Sequence, residues 1–156
     1  MPDCPRPADA RLHELEAKLE ASEARLRLSL EIGGVGMWQT NLRTGEIVWW
    51  PGMAEVHGLP PGSVPVGVTG YARLIHAEDR ERFLRAVRDT SPEGTAQPIE
   101  YRVRWPDGSW HWIEARRKLL LDGGGQPWAV TGVCQDITRR KRIESDLRFL
   151  AQASAE

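Results

Sequence analysis

At 156 residues the chain has room for one domain with a core of its own plus extensions, and not for two. Its 21 basic and 22 acidic residues leave a formal net charge of −1, which gives no reason to expect nucleic acid or an anionic membrane as the main partner. No apolar run approaches the roughly 20 residues that span a bilayer, and the N-terminus lacks the apolar core of a signal peptide; a cytoplasmic protein without direct membrane contact is expected.

Residues 1–7 read as a disordered N-terminus. Residues 8–32, "ADARLHELEAKLEASEARLRLSLEI", contain no Gly or Pro and predict a long helix. Leu12, Leu15, Leu19 and Leu26 fit a heptad, with Ser22 and Ser29 at the remaining seam positions. Leu30 follows Leu19 by eleven residues, so the seam drifts from a strict heptad toward its end. In a parallel pair this register sets Arg11 against Glu16 and Lys18 against Glu23, each opposite in charge. A homodimer through this helix is expected, since so long a helix outruns a small sheet; the alternative is a helix packed on its own domain.

Three glycines then break the helix, and "MWQTNL" and "EIVWW" predict two short strands joined by "RTG". Pro51 is expected to open a short helix that ends near Gly58. Residues 59–70 read as loop, followed by a short helix after Thr69 over "YARLI". "HAEDRERFLRAVRD" is a clearer helix, with Phe83, Leu84 and Val87 on one side and acidic residues in its first turn.

"PIEYRVRW" alternates Ile99, Tyr101, Val103 and Trp105 against Glu100, Arg102 and Arg104, as a half-buried strand does. After the turn "PDG", "SWHWIEARRKLLL" returns as a long strand. "DGGGQP" turns again and "WAVTGVCQDI" is the last strand. From Thr138 the pattern becomes an amphipathic helix with Ile143, Leu147 and Leu150 on one seam. Two strands, short helices, three strands and a helix argue for an α+β domain: one five-stranded antiparallel sheet, helices on one face.

That order, with "TGEI", "IHAEDRERF", "EYRVRWPDGSWHWIE" and "GVCQDITRRKRIE", resembles a PAS sensory domain of the kind common in bacterial sensor kinases. The resemblance covers about residues 28–144. It departs from the family at His76-Ala77-Glu78-Asp79, where proline often follows the histidine; this loses pre-organisation and not the fold. The resemblance implies a sensory domain over 33–137 and a signalling linker from 138 to 156. It also implies a hinge at Asp136-Ile137-Thr138 and an output module, such as a histidine kinase, beyond the C-terminal helix. The chain ends before any such module, as a segment of a longer protein would.

The hinge is also readable from its residues. Asp136 or Thr138 can accept from the orphan N–H groups of the first helical turn, and Ile137 can anchor the junction. Arg139-Arg140-Lys141-Arg142 reads as a solvated linker face, with Arg140–Glu144 and Arg142–Asp146 spaced for pairing.

No metal box, Walker loop or nucleophile elbow appears, so catalysis by this chain is not expected. No bound cofactor is the leading expectation, with flavin and haem as alternatives. The haem-binding branch of the family uses a histidine within the main helix, which is lacking after His76. The photosensory branch uses an Asn-Cys-Arg motif that is absent here. Tryptophans occupy both faces of this strand, which leaves its inward face open; if the face of Ile113 and Ala115 is inward, His111 is the candidate for polar contact with a ligand. The runner-up function is a filled core that acts only as a dimerisation and protein–protein relay.

Overall fold

The computed structural model describes residues 7–90 and 97–154. The expected disordered stretch 1–7 falls, but for its last residue, outside the described residues, as does Cys4. Helix α1 (Pro7–Gly33) leads into strands β1 (Val35–Asn41) and β2 (Ile47–Trp49). Three short helices follow: α2 (Met53–Val56), α3 (Gly67–Ala72) and α4 (Ala77–Arg88). Strands β3 (Ile99–Arg104), β4 (Trp110–Leu121) and β5 (Pro127–Asp136) complete the sheet, and α5 (Thr138–Ala153) leaves it.

All pairings are antiparallel, in the order β2-β1-β5-β4-β3. The first hairpin therefore joins the other three strands through β1 and β5, the two segments farthest apart in sequence. The α+β fold with one five-stranded sheet is the expected one.

Alternation decides which face is buried. Ile99, Tyr101 and Val103 of β3 and Ile113 and Ala115 of β4 point inward, and Met53, Val56, Tyr71 and Phe83 of the short helices, with Ile75 between α3 and α4, cover them. Glycines let neighbouring segments approach closely. A Cβ at Gly132 of β5 would stand 2.3 Å from the Arg116 carbonyl oxygen. At Gly58, where φ is +64°, it would stand 2.3 Å from the Trp105 ring.

Two helix expectations need correction. Pro51 precedes α2 rather than opening it: Gly52 takes the cap position, and its N–H donates to the Glu55 carboxylate at 3.0 Å. Helix α3 begins at Gly67 and stops at Ala72, before "RLI", because Leu74 and Ile75 leave it to pair with β3. Arg104 N donates to the Leu74 carbonyl and His76 N to the Arg102 carbonyl, both at 2.9 Å.

The proline missing from the first position of α4 has a substitute. His76 Nδ1 accepts from Glu78 N at 3.2 Å and caps the helix by side chain. Asp79, buried in the first turn, accepts from the backbone N–H and guanidinium of Arg102 at 2.8–3.0 Å. This bond satisfies an N–H of β3, which is an edge strand. The Arg102 hydrogen bonds hold the Asp79 carboxyl down at about 2 despite its burial.

Candidate functional site

Between the sheet and the short helices lies an apolar cavity of about 80 Å³. Alternate residues of β1 (Trp38, Thr40) and β2 (Ile47, Trp49) form one wall, and Met53, Val68, Tyr71, Phe83 and Val87 of the helices form another. Tyr101, Val130 and Cys134 of β3 and β5 make the floor. No charged side chain is among these residues.

One wall holds a buried chain of polar groups. His57 Nδ1 lies 2.8 Å from the Met53 carbonyl, and Nε2 lies 2.8 Å from the Tyr71 hydroxyl. The hydroxyls of Tyr71 and Tyr101 are 2.6 Å apart, and Tyr101 reaches Cys134 Sγ at 3.8 Å. Trp49 stacks on His57 with ring centroids 4.9 Å apart. Burial lowers the His57 pKa to about 4, so the ring is neutral at pH 7. Burial also holds both phenols well above their usual value and pushes the Cys134 thiol up to about 12. Cys134 is therefore a hydrophobic wall group and not a nucleophile.

The second feature is the exit of β5. Cys134 touches the cavity, and two residues later Asp136 faces the same side of the strand. Asp136 Oδ1 accepts from Thr138 N at 2.8 Å and from Thr138 Oγ1 at 2.5 Å, while Thr138 Oγ1 accepts from Trp112 N at 2.9 Å. Ile137 is buried, and its N–H donates to the Trp112 carbonyl at 2.8 Å. The start of α5 is thus bonded to β4 on both sides of Ile137. Burial pushes the Asp136 carboxyl up, but the bonds from Thr138 and His111 outweigh it and its pKa falls below the usual value.

His111 belongs to this junction. Its side chain is not among those lining the cavity. Nδ1 lies 2.8 Å from Asp136 Oδ2 and Nε2 lies 3.0 Å from Ser109 Oγ, while the ring stacks on Trp105 with centroids 3.6 Å apart. His111 shares the inward face of β4 with Ile113 and Ala115 but stands near the start of the strand, across from Val103 and beside Asp136.

The basic run at the start of α5 is not simply solvated. Arg140 reaches Glu100 at 2.9 Å, Glu114 at 3.1 Å and Glu144 at 3.6 Å. Lys141 pairs with Glu100 and lies 5.0 Å above the Trp112 ring. These contacts lay the first turn of α5 along the outer face of β3 and β4. Beyond it, Ile143, Leu147 and Leu150 are exposed, as are Leu12, Leu15, Leu19 and Leu26 of α1, while Leu30 is half-buried.

The cavity residues Trp38, Tyr71, Phe83 and Tyr101, and His57 behind them, were not identified from sequence. The period of β3 pointed to Tyr101. Nothing in the sequence joined it to Tyr71 thirty positions earlier.

Neither haem nor flavin fits these residues as they stand. No histidine lines the cavity, both nitrogens of the neighbouring His57 are engaged, and 80 Å³ is well below the roughly 300 Å³ at which pockets for drug-sized ligands begin. No helix among the described residues is long and apolar enough to cross a membrane.

The chain is 30% identical over 132 residues to a blue-light-activated histidine kinase of Brucella anthropi, covering 85% of this chain and 26% of that protein. It is 28% identical over 122 residues to the sensor protein FixL of Bradyrhizobium diazoefficiens, covering 78% of this chain and 24% of that one. It therefore spans about a quarter of the length of these curated relatives. Among solved structures, a sensory box histidine kinase/response regulator from Burkholderia thailandensis superposes with a TM-score of 0.68 at 30% identity, covering 84% of this chain and 98% of that one. The family model described as PAS fold matches residues 46–134, which take in most of the sheet, all three short helices and Cys134 of the cavity floor; the chain belongs to the PAS fold family.

Proposed function

We propose that this chain is a cytoplasmic sensory module that binds a small molecule in the apolar cavity and passes the change to an output domain through α5. The observation that carries the proposal is continuity along one strand. Cys134 walls the cavity, Asp136 accepts from the first N–H of α5, and a single residue, Gln135, separates them. A ligand that prefers one placement of β5 shifts the population of α5 orientations by as much as its affinities for the two placements differ. Asp136, Ile137 and Thr138 are the transfer residues, and His111 orients Asp136.

The exposed stripe Leu12, Leu15, Leu19 and Leu26 supports a homodimer through α1, with Leu30 at the margin where the helix meets the sheet. In each copy Lys18 already pairs with Glu14 at 2.7 Å, so the apolar seam rather than the cross-pairs of charge supplies the association.

The test joins the chain through α5 to the kinase half of a histidine kinase and compares autophosphorylation with and without Asp136→Ala. A changed rate with an unchanged circular dichroism spectrum supports the hinge. An unchanged rate in a folded variant removes Asp136 from the mechanism. Sedimentation of Leu15→Glu tests the dimer, which should shift to monomer.

A further inference from the structure

Around His111 the hydrogen bonds fix where the protons lie. In the turn between β3 and β4, Asp107 Oδ1 accepts from the Ser109 N–H at 2.9 Å and from the Ser109 hydroxyl at 2.5 Å. A hydroxyl has one proton, and Asp107 takes it. Toward His111 Nε2, 3.0 Å away, the Ser109 oxygen therefore offers only a lone pair. On the other side of the ring, Nδ1 meets Asp136 Oδ2 at 2.8 Å, and an ionised carboxylate can only accept. Both ring nitrogens are donors, so the arrangement fits the imidazolium and not the neutral ring. The Trp105 indole, with its centroid 3.6 Å from that of His111 and its plane within 4° of parallel, adds a π face that favours a cation.

The charges around the ring have the matching sign. Besides Asp107 of the turn and Asp136 of β5, Glu31 of α1 and Glu55 of α2 line a groove that Trp105 and Asp136 also border. Strand β3 sets Val103 across from His111, with Arg102 and Arg104 on its opposite face. Arg140 and Lys141 of α5 are tied to Glu100 and Glu114. His57, at the end of α2, stays neutral down to about pH 4.

Loss of the proton has a defined consequence. A neutral ring keeps an N–H for Asp136 only by drawing the Ser109 hydroxyl away from Asp107, and the bond that remains loses the attraction between opposite charges. Asp136 is the acceptor for the Thr138 N–H and hydroxyl, so whatever steadies this carboxylate steadies the start of α5.

We propose that His111 is a proton-operated latch on α5: charged, it ties the β3–β4 turn to Asp136 and holds the helix start to β4; neutral, it loosens that hold. The proton is then a second input beside the cavity ligand. This rests on the reading of Asp136-Ile137-Thr138 as the hinge. The latched arrangement binds the proton more tightly than the loosened one. By linkage it gains population as pH falls through the titration of the ring and loses it as pH rises.

The test is nuclear magnetic resonance on the intact ¹⁵N-labelled chain from pH 5.5 to 8.5, a range in which folded His57 stays neutral. Long-range ¹H–¹⁵N spectra follow both nitrogens of His111. Hydrogen exchange, corrected for the intrinsic pH dependence of amide exchange, follows the Thr138 and Ile137 amides, which bond to Asp136 and to the Trp112 carbonyl. Both nitrogens are expected to be protonated below the midpoint of the ring. Above it the two amides should open about 5-fold more often, the difference between a hydrogen bond with a charged donor and one with a neutral donor. The Leu119 amide, in the middle of β4, should not follow that midpoint. His111→Gln, which takes up no proton, should abolish the dependence. A ring that keeps one protonation state across the range overturns the switch. A ring that titrates while the Thr138 and Ile137 amides open to a constant extent overturns the latch and leaves the hinge standing. The hinge fails separately, if Asp136→Ala leaves the joined kinase unchanged. The decisive comparison is made on the unsubstituted chain, so it does not depend on a variant folding.

Discussion

Acid should destabilise this domain through one residue before its carboxylates matter. His57 is 2% exposed, and burial lowers its pKa from 6.5 to about 4. The unfolded chain therefore takes up a proton below pH 6.5 that the folded chain refuses until about pH 4, and protonation favours unfolding across that window. The contribution is fully present above pH 6.5 and is lost as pH falls toward 4. Two to three pKa units at about 1.4 kcal/mol each amount to about 3 kcal/mol. About 1 kcal/mol should be gone at pH 5.5 and between about 2 and 3 at pH 4.5, a sizeable share of the roughly 5–15 kcal/mol typical of a domain. The assay is urea unfolding at pH 7.5, 5.5 and 4.5 for the native chain and for His57→Gln, which cannot titrate. His57→Gln should start about 1 kcal/mol less stable at pH 7.5, through its changed bonds to Met53 and Tyr71 and its lost stack on Trp49, and then show a flatter profile. Parallel profiles for the two proteins would refute the reasoning, because the slope would then belong to other groups.

Asp79→Ala should cost about 3 kcal/mol in urea unfolding, because it leaves the Arg102 guanidinium and an edge-strand N–H without their carboxylate; a loss under 1 kcal/mol would mean that water replaces it. Gly58→Ala should cost on the order of 2 kcal/mol or more, from positive φ and the 2.3 Å approach to Trp105, whereas Gly123→Ala, whose Cβ meets open space, should stay within about 0.5 kcal/mol. The Cys134 thiol, raised from 9.0 to about 12, holds about a thousandfold less thiolate than an ordinary cysteine at pH 8. Its peptide should therefore resist iodoacetamide in the native protein and label readily in urea, as mass spectrometry would show.

The hinge illustrates what a short sequence can carry. Asp136, Ile137 and Thr138 are neighbours in the chain, so their capping geometry follows from local chemistry, and Asp136 does accept from Thr138 N. His111 shows the limit. Its face on β4 followed from alternation. Its partner Asp136 lies 25 positions away, and only the register of β4 against β5, which sets Ile113 across from Asp136, brings them to 2.8 Å. His57 shows the same limit more sharply. By sequence it is a helix-end histidine next to a glycine; in the fold it is a buried neutral ring that accepts from Tyr71.

By itself, the sequence determined the strands, the main helices and the α+β class, because periods of 2 and 3.6, turn residues and caps are written within a few neighbouring positions. Tertiary structure alone decided the strand order that inserts β5 beside β1, the contents of the cavity and the burial of His57 against Tyr71. Those depend on which distant strands share an edge and how closely their side chains meet, and such distances are not a property of any one stretch of chain.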